Sequence, residues 1–69
     1  MSITKKLKKA MVDKGVTQIV LAERTGRAVQ TVRHTMSHGT MNTATFESYA
    51  DAIGCDVVLR DRETGKIYD

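Results

Sequence analysis

Apolar residues at Ile3, Leu7, Ala10 and Met11 recur at i, i+4, i+7 and i+8, the spacing of one helix face. Lysines fill positions between them, so the pattern predicts an amphipathic first helix over about residues 3–14. Ser2 stands where a hydroxyl can accept from orphan amides at the helix start. Gly15 stands where a left-handed residue can end it, and Lys14 suits the negative end of the helix dipole.

The pattern then repeats in shorter pieces. Thr17 is placed to cap a second helix running to about Thr25, with Val16 and Leu21 at the spacing of a hydrophobic staple. Gly26 breaks the run. A third helix is expected over about Ala28 to Ser37, with Val32 and Met36 facing inward, and its start lacks a strong cap. His38-Gly39-Thr40 reads as a loop. Asn42 can cap a fourth helix over about Thr43 to Ile53, where Phe46, Tyr49, Ala50 and Ile53 form the apolar stripe and Gly54 follows as the stop.

Beyond Gly54 the period changes. Asp56-Val-Val-Leu-Arg60 is β-branched and short, Asp61 to Gly65 is turn-like, and Lys66 to Tyr68 can return as a second strand. Alternation would put Val57 and Leu59 on one face and Val58 and Arg60 on the other. The expected organisation is a mainly α domain over residues 1–54 with a β extension over residues 55–69. A lone hairpin is marginal in water, so the extension needs a helix or another chain to lie on.

Composition narrows the class. The chain has 69 residues, 28% of them charged and 41% hydrophobic, which fits one small folded domain. Such a chain buries only roughly 60% of its unfolded surface, so modest stability is expected. The single cysteine, Cys55, excludes a disulfide within the chain. There is no long apolar run and no apolar core like that of a signal peptide near the start, so a cytoplasmic, non-membrane protein is expected.

The net charge of +3 conceals an asymmetry. Residues 1–38 carry Lys5, Lys6, Lys8, Lys9, Lys14, Arg24, Arg27 and Arg33 against Asp13 and Glu23. Residues 39–69 carry Arg60, Arg62 and Lys66 against Glu47, Asp51, Asp56, Asp61, Glu63 and Asp69. A polyanion would be drawn to the first half and oriented by it.

Within that half lie Thr17-Gln18, Leu21-Ala22-Glu23, Thr25-Gly26 and Thr31-Val32, and Ala50-Asp-Ala-Ile-Gly54 follows in the fourth helix. In this order residues 3–54 resemble the lambda-repressor/Cro type of helix-turn-helix domain, the XRE family of phage and bacterial regulators. The resemblance implies a four- to five-helix lambda-repressor-like fold, here with a short C-terminal β-strand or hairpin. Ala22 would let the third helix cross closely over the second, Gly26 would permit the bend, and Val32 would fill the core beneath. The chain departs from the family pattern in four places. Arg27 stands where an aliphatic residue is usual, and Ala28 where Ser or Thr caps the helix. Ile19 and Val20 stand where charged residues are usual, and Thr35 where an aliphatic is common. Val29 can then share the core duty. Ile19 and Val20 either fold against the first helix or remain exposed as a second interface.

In such domains the third helix enters the major groove and reads base edges. The resemblance therefore implies base contacts from Ala28, Val29, Gln30, Thr31, Arg33 and His34. Gln30 can pair with adenine, Arg33 can bridge guanine or hold a phosphate, and Ala28 and Val29 can pack on a thymine methyl. Gln18 would hold a phosphate at the start of the second helix, Arg27 would turn outward to another, and Lys5, Lys6 and Lys9 would add diffuse attraction.

Members of this type read two half-sites as two-fold dimers. The candidate dimer interface is the tail, through Val57, Val58, Leu59 and Ile67. The implied function is transcription regulation by a homodimeric, Cro-like repressor of a small operon, of antitoxin or autorepressor type, on an inverted repeat in double-stranded DNA. The alternative is a module that keeps the fold but binds a protein, such as a toxin, another regulator or a nuclease.

No nucleophile and base are arranged for catalysis, so an enzyme is not expected, and no cofactor motif is present. Thr64-Gly65-Lys66 lacks the upstream glycine of a phosphate loop. His34 and His38 have the i, i+4 spacing of a metal pair, but no carboxylate or thiol follows closely enough to complete a site, so no metal is expected.

Overall fold

A computed structural model describes residues 2–69. Among the described residues, four helices are followed by a two-stranded antiparallel hairpin. The helices are α1 (Ile3–Lys14), α2 (Gln18–Thr25), α3 (Val29–Met36) and α4 (Thr43–Ala52). The strands are β1 (Leu59–Arg60) and β2 (Ile67–Tyr68), with Leu59 opposite Tyr68 and Arg60 opposite Ile67. No described helix is long and apolar enough to cross a membrane.

Three helices start in the same way. The side-chain oxygens of Ser2, Thr17 and Asn42 accept from the backbone amides of Lys5, Val20 and Thr45 at 3.0, 3.2 and 2.8 Å. Each such cap contributes about 1 kcal/mol. Three helices also end in the same way, with an amide reaching back five residues. These bonds are Val16 to the Met11 carbonyl, Arg27 to Ala22, and Cys55 to Ala50, at 2.9, 3.0 and 2.8 Å. The geometry requires a left-handed residue just before the donor, which Gly26 supplies at φ +71° between α2 and α3.

α3 is the exception at both ends. Ala28 occupies the cap position at φ −68°, ψ 143° but offers no side-chain acceptor, and Ser37 ends the helix without a glycine. The helix is accordingly one residue shorter at each end than its apolar pattern predicts.

The core joins all four helices. Leu7 and Met11 from α1, Leu21 and Ala22 from α2, Val32 and Met36 from α3, and Tyr49 and Ile53 from α4 and its cap are buried together with Val16. Val16 and Leu21 thus share the core, as a staple requires. α2 packs on both α3 and α4. One expected core residue is displaced: Ile3 is exposed and Thr4 is buried in its place, with its hydroxyl unpartnered within the protein. Thr4, Leu7 and Met11 also share a helix face, and the neighbouring elements decide which stripe is used. Phe46 is only half-buried, packed at the edge of the core.

The tail differs more. The strand expected over residues 56–60 forms only at Leu59–Arg60, because Val57 and Val58 line a groove with Leu7 and Ala10 of α1 and Phe46 of α4 instead of alternating across a ladder. The turn is held by Asp61, whose Oδ1 accepts from the Glu63 amide at 2.8 Å and whose carbonyl accepts from Gly65 at 2.9 Å. Every side chain in the two strands is exposed.

Candidate nucleic-acid interface

The outward face of α3 follows from its burial. Val32 and Met36 point into the core, and at about 3.6 residues per turn Gln30, His34 and Thr31 lie opposite them. All three are exposed. Arg33 is exposed on the flank of the same face, and Ala28 is exposed at its start. Five of the six residues expected to meet bases are therefore exposed. The sixth, Val29, is half-buried and packed against the core. It takes the position left without an aliphatic at Arg27, and little of it remains to meet a thymine.

Arg27 and His34 are each positioned by a side-chain contact. The Arg27 guanidinium carbon lies 5.6 Å from the centre of the Tyr49 ring, on the far helix α4. A guanidinium over an aromatic face is attracted by the ring quadrupole, which holds this long side chain beside the start of α3. The Nε2 atoms of His34 and His38 lie 3.3 Å apart, so the His34 ring leans toward the end of α3. The Arg27 contact joins residues far apart in the chain and could not be read from residue types alone, whereas the His34–His38 contact follows from their i, i+4 spacing.

Gln18 is half-buried as the first residue of α2, next to the Thr17 cap. Its position leaves the N-terminal amides of α2 as the neighbouring donors, the arrangement expected of an anion contact. Lys5, Lys6 and Lys9 are exposed on α1, and Lys6 also borders the groove beside the tail. Arg24 and Lys14 are cations occupied elsewhere. Arg24 donates to the Ala52 carbonyl at 3.0 Å, and Lys14 reaches the Gly54 carbonyl at 3.5 Å.

The two apolar departures on α2 separate. Val20 is half-buried and packed against the core, whereas Ile19 is 55% exposed. In the tail, Val57, Val58, Leu59 and Ile67 are all exposed, Leu59 most of all at 71%. No protein-family model matches the chain, and no curated protein or solved structure matches it.

Proposed function

We propose that the chain is a sequence-specific double-stranded-DNA-binding regulator of the lambda-repressor-like helix-turn-helix type, a binding protein and not an enzyme. The observation that carries this reading is the open face of α3. Gln30, Thr31, Arg33 and His34 stand on one exposed helix surface, in the basic half of the chain, on a helix anchored by Val32 and Met36. α3 is the element offered to the major groove. Gln30 and Arg33 are the base-reading side chains, Gln18 and Arg27 the phosphate contacts, and Lys5, Lys6 and Lys9 the diffuse attraction.

The hairpin supports a two-fold dimer. It has no buried side chain, and an isolated two-stranded hairpin is marginal in water, so pairing with a second copy would stabilise both tails. Two copies of α3 would then read half-sites about 34 Å apart, and occupancy of such a site would repress a small operon.

Selection from a random duplex pool near physiological salt tests the proposal. An enriched inverted repeat with steeply salt-dependent binding is the expected result. Weak binding with no enriched sequence would overturn it. That outcome favours a protein-binding module instead, for which the exposure of Ile19 names the surface to probe.

A further inference from the structure

We propose that His34 and His38 form a two-imidazole site for a zinc ion. Their Nε2 atoms are 3.3 Å apart, with ring centres 4.7 Å apart and planes at 83°. Two nitrogens, each about 2.05 Å from zinc and at the tetrahedral angle, are separated by about 3.3 Å. The distance also suits a hydrogen bond between the rings, and zinc would replace that bond by taking the lone pair of each Nε2. Neutral rings need lose no proton in this exchange, because the ring that carries its proton on Nε2 shifts it to Nδ1.

The backbone holds the two rings in this relationship. Ser37 donates to the carbonyls of Arg33 and His34 at 3.1 and 3.2 Å, and the His38 amide donates to Thr35 at 3.3 Å. The Ser37 hydroxyl adds a bond to the His34 carbonyl at 2.6 Å. His38 is thus fixed in the turn that closes α3, with its ring returned toward His34. Both residues are exposed, so an ion reaches them without displacing the core. No group of three or more His, Cys, Asp or Glu side chains gathers among the described residues. The chain therefore supplies two ligands, and water fills the remaining positions. The site does not depend on DNA binding, although an ion held there would lie on the surface that α3 offers to DNA.

The chain contains only two histidines, so its imidazole nitrogen spectrum reports on this pair alone. Zinc chloride is titrated into tag-free protein while that spectrum is recorded. One ion per chain is expected, with the Nε2 signals of both rings shifting together. His34→Gln and His38→Gln should each weaken binding roughly tenfold or more. No shift at either ring up to millimolar zinc, or a shift at one ring only, would overturn the site. So would binding that survives both substitutions and disappears in Cys55→Ser. The spectrum of the unsubstituted protein is decisive even if a variant folds poorly.

Discussion

The Arg24 guanidinium donates to the Ala52 carbonyl at 3.0 Å, joining the last turn of α2 to the last residue of α4. Lys14, the last residue of α1, reaches the Gly54 carbonyl just beyond α4 at 3.5 Å. The C-terminal ends of three helices therefore meet, and two cations sit among carbonyls that helix geometry leaves without amide partners. Arg24→Met should remove the stronger link while keeping the apolar stem. The expected cost is about 1 kcal/mol, a fall in Tm of about 4–8 °C. Thermal unfolding measures it, and an unchanged Tm would show that the bond adds nothing. Because Arg24 is committed to α4, DNA affinity measured well below Tm should not change.

The missing cap of α3 offers a test that separates stability from binding. Ala28 has the extended backbone of a cap residue, and the three neighbouring helices show the bond that it lacks. Ala28→Ser should raise stability by about 0.5–1 kcal/mol. Ala28→Asp should stabilise at least as much, since its charge also suits the helix N-terminus. The two should diverge on DNA, because a carboxylate at the start of a groove-reading helix repels phosphates. Denaturation and duplex titration of both variants check this. Equal DNA affinity for Ser and Asp would place the start of α3 away from DNA.

Local chemistry explains why so much of the fold was readable in advance. A cap bond spans three residues and the glycine-closed helix end spans five, so Ser2, Thr17, Asn42, Gly15, Gly26 and Gly54 mark their boundaries without reference to the rest of the chain. Long-range packing decided what was misread. Ile3 and Thr4 begin two equally helical stripes, and the fold buries the threonine. Val57 and Val58 alternate as a strand would, yet both line a groove beside α1 and α4. In the candidate interface the exposed polar face of α3 was legible from the inward positions of Val32 and Met36. The hold of Tyr49 on Arg27 was not, because it joins residues far apart in the chain.

Gln30 and Arg33 carry the sharpest prediction about binding. Neither contributes to the core, so substitution leaves the fold intact. Gln30→Ala and Arg33→Ala should each weaken binding to the selected duplex by about 1–3 kcal/mol and relax preference at one base position. Circular dichroism and titration against the full set of single-base variants measure both effects. Unchanged affinity and preference in both variants would remove α3 as the reading element.

The tail tests the dimer. Leu59 is 71% exposed in β1 and pairs with Tyr68, whose side chain is also exposed, so a single chain gains little from either. If a second copy covers this hairpin, Leu59→Lys places a charge in a buried interface, where it is unpaired and costly. The variant should sediment as a monomer while its helical signal is retained, since no core residue lies in either strand. Its affinity for the inverted repeat should fall steeply, and binding to an isolated half-site should remain as weak as that of one unsubstituted domain. Deletion of residues 56–69 should give the same pair of results. A truncated chain that still sediments as a dimer would locate the two-fold contact elsewhere, and the exposed Ile19 on α2 would be the next residue to charge.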